Sequence, residues 1–326
     1  MKLFVYEHVT GGGMLAESPP ASLVREADLM LQALLGELRT IPGLKLRAAR
    51  DPRLPPLDGV ETLTPAAGEP APAFYGRGLA GCEAAWPTAP ETGGILEQLA
   101  RATLAAGVRL IGCRPGAVEV AASKRRTAQA LAARGIAVIP TFTAADRLPE
   151  TRGALWVVKP DDGAGAEGLE LVPGWRLAAA RLAADPGRLV AQPWLDGEAA
   201  SLSVHCHDGR ATLLAVNRQR LKVSPKGVAL LGLEVNALPD PDGRLAALAD
   251  DVCRAIPGLH GYVGIDLLLG DDAPVVVEVN PRLTTSYVGL GRALGINVAR
   301  RLLDGAHREP VPAGTPVSLA LEGGDD

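Results

Sequence analysis

A chain of 326 residues, 47% hydrophobic and 21% charged, is long enough for two or three domains and too apolar to be disordered. Its formal net charge of −4 offers no basic footprint for nucleic acid, and no apolar run reaches the length that spans a bilayer. Cys82, Cys113, Cys206 and Cys253 are far apart with no C-x-x-C pair, so they read as reduced thiols; the short apolar run at Met1–His8 meets charge too soon for a signal peptide, and the expected location is the cytoplasm.

Lys2 to Tyr6 reads as a buried strand, followed by Glu7-His-Val-Thr-Gly-Gly-Gly13 and a helical pattern from Ser22 to Leu38. This is the opening of a Rossmann-like α/β layer, but Gly11-Gly12-Gly13 lacks the spacing of a dinucleotide fingerprint, which argues against a dehydrogenase. Glu7, Gly12 and Gly13 are read as lining a substrate pocket, with a purely structural tight turn as the alternative. Leu44 to Ala49 suits a second strand, Arg50 to Pro72 shows little regular pattern, Glu91 to Ala106 suits a helix and Arg109 to Gly112 a short strand.

Ser123 to Gly135 has the serine start and glycine stop of a helix and leads into a strand-like run, Ile136 to Pro140. Lys124 falls in the first turn, where the helix dipole disfavours a cation; it is one of six lysines, and either serves a ligand or is simply solvated. Ala154 to Pro160 is an apolar strand ending in Lys159, then comes Asp161-Asp-Gly-Ala-Gly-Ala-Glu-Gly168, then a strand, Leu169 to Val172. Such a glycine-rich loop can offer backbone N–H groups to phosphates, or be an ordinary hairpin; it is not a Walker loop, since G-x-x-x-x-G-K-[ST] is absent.

A helix from Trp175 to Ala184 leads to a strand that ends in Gln192-Pro-Trp-Leu-Asp-Gly-Glu198, a hinge whose backbone suits an adenine edge and whose Glu198 suits a ribose. His205 and His207 share a face of the strand Ala200 to His207 and read as surface or pocket-wall residues, without a third ligand for a metal. Arg218 and Arg220, at the end of a strand from Leu213, either clamp a phosphate or carboxylate or are solvated. Leu245 to Ile256 is an amphipathic helix.

Tyr262–Leu269 and Val275–Val279 then form a hairpin around Gly-Asp-Asp-Ala-Pro. A turn centred on Asp272 sets Asp266 opposite Glu278, with Glu278 and Asn280 on one face and Val275, Val277 and Val279 on the other with Ile265, Leu267 and Leu269. Opposed carboxylates repel unless a cation lies between them, and two carboxylates with an amide oxygen suit Mg²⁺; a solvated edge hairpin is the alternative. A last helix spans Val288 to Leu303, and the tail to Asp326 is expected to fray.

The order of these pieces closely resembles the ATP-grasp superfamily over about residues 115–305: Lys124, Lys159, the loop 162–168, the hinge 192–198, Asp266, and Glu278-Val-Asn-Pro-Arg282, which matches E-[IV]-N-P-R. The resemblance implies an α/β, ATP-grasp fold: a Rossmann-like pre-ATP-grasp domain at 1–114, a small α+β lobe at 115–195 and a large α+β lobe at 196–326, the lobes clamping ATP. It implies that Lys124 and Lys159 hold ATP phosphates, Lys159 also lying beside the adenine, that Gly163, Gly165 and Gly168 cover the γ-phosphate, and that Gln192, Trp194 and Leu195 contact adenine while Glu198 meets the ribose. Asp266, Glu278 and Asn280 would bind Mg²⁺, two ions bridged by Glu278, with Mn²⁺ as a substitute; Arg282, Arg218 and Lys159 form the expected catalytic set, with Arg220 beside the substrate.

The expected chemistry is phosphorylation of a carboxylate and attack by an amine, giving an amide, ADP and phosphate. Tyr6-Glu-His-Val-Thr-Gly-Gly-Gly13, Pro160-Asp-Asp-Gly-Ala-Gly and Asn217-Arg-Gln219 further resemble the branch containing the tyramine-glutamate ligases of methanofuran biosynthesis. Pyrrolysine-pathway and other amino-acid ligases share much of this pattern, and a nucleotide-binding module without chemistry is a third reading. The expected partners are small molecules, with neither nucleic acid nor membrane; a homodimer is compatible with the resemblance.

Overall fold

The computed structural model describes residues 1–150, 154–163, 168–224, 227–270, 273–306 and 309–321. Its first sheet comprises β1 (Lys2–Glu7), β2 (Lys45–Ala49), β3 (Glu61–Leu63), β4 (Ala84–Thr88) and β5 (Arg109–Leu110), in the order β3-β2-β1-β4-β5 and parallel throughout. Leu3 to Glu7 are all buried, as a central parallel strand covered on both faces requires. Against this sheet α1 (Ala21–Arg39) buries Ala27, Met30, Leu31, Leu34, Leu35 and Leu38, one stripe at helical spacing.

The stretch between Arg50 and Pro72 does contain a strand, β3, which pairs with β2. β4 reads Ala-Ala-Trp-Pro-Thr and carries no strand signal. Its Pro87 is tolerated because β5 pairs only with Ala84 and Ala85, so the missing N–H breaks no ladder on that side. The strand order reverses between β1 and β4, and at their carboxyl ends the loop from Glu7 and the segment Thr88–Glu91 leave the sheet side by side, His8 N donating to Thr88 O at 2.8 Å. Helices α2 (Ala71–Leu79) and α3 (Ile95–Ala105) complete the layer, α3 preceded by a tight turn at Thr92–Gly94.

After α4 (Pro115–Ala122) and α5 (Lys124–Ala132) comes a small antiparallel sheet of β6 (Leu155–Pro160), β7 (Glu170–Pro173) and β8 (Leu189–Pro193), ordered β7-β6-β8. It packs Trp156, Val158, Val172 and Ala191 on Ala178 and Leu182 of α6 (Trp175–Ala184). The strand expected at Ile136–Pro140 reduces to a bridge from Val138 to Val276, since Pro140 cannot continue a ladder.

The third sheet is antiparallel and contains β9 (Glu198–His207), β10 (Arg210–Ser224), β11 (Gly227–Val235), β12 (Gly261–Leu269), β13 (Val275–Asn280) and β14 (Val317–Ala320), in the order β13-β12-β9-β10-β11-β14. One face packs Ala200, Leu202 and Val204 on α7 (Arg244–Ala255); the other packs Tyr262 and Val235 with Tyr287 and Leu290 of α8 (Tyr287–Leu294). Both faces of β9 are thus covered, so His205, expected at a surface or pocket wall, is completely buried. The single terminal helix is two: Gly295, at φ +67°, ends α8, and the Asn297 side chain caps α9 (Val298–Asp304) by accepting from Arg300 N. Glu37 of α1 ties these helices to the first layer, accepting from Tyr287 Oη and Ala299 N at 2.7 Å each. Among the described residues, no helix is long and apolar enough to cross a membrane.

Candidate active site

Asp266 and Glu278 are register partners across β12 and β13, as the turn arithmetic requires. Beyond them the register slips, since Leu267 pairs with Val276 and Val277 is left over as a bulge. The bulge overturns the expected valine face: Val276 and Val279 are the buried pair, whereas Val277 lines the cleft beside Glu278. The turn residues 271–272 lie outside the described residues.

Asp266 accepts from Gln219 Nε2 and from Asn280 Nδ2, both at 2.9 Å. Asn280 spends its N–H₂ group on this bond, which leaves its oxygen as a donor atom for a ligand. Gln219 appears in the sequence only within Asn217-Arg-Gln219 and carries no expected role there. Asp266, Ser201 and Asn217 are aligned across β12, β9 and β10, and Gln219, two residues along β10, shares their face. Burial and the facing Glu278 push the Asp266 carboxyl well above the ordinary carboxylate range, the two amide bonds opposing them.

Two buried lysines stand over this hairpin. Lys124 Nζ lies 3.9 Å from Glu278 Oε2 and donates to the carbonyls of Asp161 and Gly163. Its place in a helix first turn is explained by Asp161, whose carboxylate accepts from Ser123 Oγ and Arg125 N and so sets an anion at the N-terminus of α5. Lys159, 8% exposed, has its pKa lowered to about 8 by burial and by Lys124, against the pull of Glu278 and Asp266.

Gln192, Trp194, Leu195 and Glu198 line the cleft, where Gln192 directs its amide to Thr141 Oγ1 at 2.8 Å and Trp194 Nε1 donates to Asp196. Glu198 and Arg218 pair with each other, and Arg218 also binds Glu234 at 2.9 Å. Both stay half-exposed at the rim, so any ligand there competes with an existing ion pair. Arg220 is exposed and is not among the residues lining this cavity. Gly163 lines it; Gly168, at φ +67°, follows the residues 164–167, and Gly165 lies outside the described residues.

In the first layer, the buried Glu7 carboxylate accepts from Val9 N, Thr10 N and Thr10 Oγ1, so it shapes its own loop. The glycines serve that loop too: a Cβ on Gly13 would stand 2.1 Å from the His8 ring, and one on Gly12 2.7 Å from Pro65. Arg282, at the end of β13, is ion-paired at 3.0 Å with Glu91, a residue of the first layer that the sequence reading left unassigned. Burial works against the charge of Arg282, but Glu91, Glu278 and Glu26 outweigh it and raise its pKa.

A cavity of about 650 Å³ runs from the hinge past both lysines to Asp266, Glu278 and Glu26 of α1; Asn280, Arg282 and the loop of Glu7, Gly12 and Gly13 are not among its lining residues. Among the described residues, no group of three or more His, Cys, Asp or Glu gathers to hold a metal. The donors are two carboxylates and an amide oxygen, a set that fits Mg²⁺ only if water and ligand oxygens complete it. The raised Asp266 carboxyl facing Glu278 is the mark of a site that gains from a cation.

An ATP-grasp domain model matches residues 121–286, and a pre ATP-grasp 3 domain model matches residues 44–118. The chain is 29% identical over 203 residues to the tyramine–L-glutamate ligase of Methanocaldococcus jannaschii, covering 62% of this chain and 56% of that one. The chain thus spans little more than half the length of that relative. Among solved structures it is similar to a protein from Archaeoglobus fulgidus described as of the ATP-grasp superfamily (TM-score 0.74, 21% identity, 99% of this chain and 100% of that one). It is also similar to an L-amino acid ligase from Bacillus licheniformis (TM-score 0.64, 18% identity, 96% and 75%).

Proposed function

The chain belongs to the ATP-grasp family, and from that premise we propose that it is an ATP- and Mg²⁺-dependent ligase that joins a carboxylate to an amine and releases ADP and phosphate. Glutamate is the leading acyl donor and a tyramine- or tyrosine-like amine the leading acceptor, on the likeness to the tyramine–L-glutamate ligases; a product serving a methanofuran-type cofactor is the matching context. The observation that carries the reading is one cavity holding two buried lysines above an opposed pair of carboxylates, with Arg282 at the end of the same strand.

Lys124 and Lys159 line this cavity and would hold phosphates, and the hinge from Gln192 to Leu195, which lines it too, would form a wall for a base. Asp266, Glu278 and Asn280 would hold Mg²⁺, two ions in the fullest form, and Mn²⁺ would be accepted by the same oxygen donors. The metal, when bound, spreads the charge of the transferring phosphoryl group. Arg282 would steady the acyl phosphate, and a cavity closed to water would protect it until the amine attacks. Among the described residues the reaction needs no protein nucleophile.

The test is to incubate the protein with Mg-ATP, glutamate and a broad amine panel that includes tyramine and tyrosine. Amine-dependent ADP release with an amide mass is expected; ATP binding without stimulation by any amine would defeat the reading.

A further inference from the structure

Resting on the ligase reading above, we propose that Glu91 is a positioning residue: it fixes which edge of the Arg282 guanidinium meets the phosphoryl group. Glu91 comes from the first layer, 191 residues before Arg282 in the chain, and is 6% exposed. Its two oxygens lie 3.0 and 3.1 Å from Arg282 Nε, and Oε1 is enclosed with no hydrogen-bond partner. Arg282 Nη1 donates to Leu283 O at 3.1 Å. Among the described residues Nη2 makes no hydrogen bond, so the protein claims the Nε edge and leaves Nη2 as the corner that a ligand would meet.

Glu91 is itself held from two sides. Gly94 N donates to its carbonyl at 3.0 Å, closing a turn in which Gly93 and Gly94 have φ of +65° and +69°. Gly93 N and Thr92 Oγ1 each donate to Asp162 at 3.1 Å, just after β6, so the turn is clamped to the strand that carries Lys159. An arginine without such a partner has many rotamers, and Glu278 and Glu26 also attract this one. Glu91 therefore keeps Arg282 off the metal-binding carboxylate as well as aiming it, an arrangement prepared before the ligand arrives.

The probe is inorganic phosphate titrated calorimetrically into the MgADP-loaded protein, which needs no amine. Glu91→Gln should weaken phosphate at least about tenfold while MgADP affinity stays within about twofold, because only the anion meets Arg282. Arg282→Ala should weaken phosphate similarly, and the double variant no further, since Glu91 acts through Arg282. Additive losses, or unchanged phosphate affinity in Glu91→Gln, would overturn the proposal. If Glu91→Gln does not fold, Glu91→Asp keeps the charge but withdraws it by one methylene: weakened phosphate supports the proposal and unchanged phosphate overturns it. A wild type that binds phosphate but turns over no amine defeats only the ligase reading; one that binds MgADP but no phosphate defeats this inference.

Discussion

Glu278 stands between a like charge and an unlike one: Asp266 faces it across the β12–β13 ladder, and Lys124 Nζ lies 3.9 Å from its Oε2. Under the proposed function it is the carboxylate that would join metal to phosphate. Glu278→Gln keeps the shape and removes the charge, so ADP release should fall by about 100-fold or more, the scale seen when one preorganised electrostatic group is lost. The melting temperature should not fall, since the substitution also removes the charge that faces Asp266. Turnover near wild type in this variant would remove the metal role.

Asp266 carries a cost that its function explains. Its folded carboxyl is raised above the ordinary 3.8 to about 7 by burial and Glu278, so without a cation the stability linked to it is complete at low pH and is lost as pH rises through about 7. Asp266→Asn should therefore melt higher than wild type in EDTA, with a gap that widens between about pH 5 and pH 7.5, and should lose the Mg²⁺-induced gain. Thermal melts with and without Mg²⁺ read both effects; a gap that narrows with pH contradicts the site.

Lys159 gives a pH signature of opposite use. Burial lowers its pKa to about 8, so the free protein loses this charge as pH rises through that value, and ATP affinity should fall over the same range. Lys159→Arg stays charged throughout, so its weaker binding should be flat from about pH 7 to pH 9. Nucleotide titrations at several pH values distinguish the two profiles.

The joint between α1 and α8 should matter for stability alone. Tyr287 Oη donates to the carboxylate of Glu37 at 2.7 Å, and neither residue lines the cavity. Tyr287→Phe should cost about 1–3 kcal/mol in denaturant unfolding by leaving that carboxylate short of a donor. ATP affinity should be unchanged; a parallel loss of affinity would show that this joint also sets the cleft.

The sequence alone determined the chemistry-bearing hairpin, because Asp266 and Glu278 are joined by one short turn and strand alternation fixes which residues face each other. Lys124, Lys159 and the hinge are each open on their local signals, and only their order along the chain, through its resemblance to the ATP-grasp superfamily, singles them out. The tertiary structure decided what those residues do to one another. A single extra residue, Val277, changed the valine face while leaving the acid pair in register. Gln219 reaches Asp266 only because β9 lies between β10 and β12, and no local pattern encodes that strand order. Glu91 meets Arg282 across 191 residues for the same reason: periodicity reports which face a side chain takes, whereas partners from distant segments are set by how the layers dock.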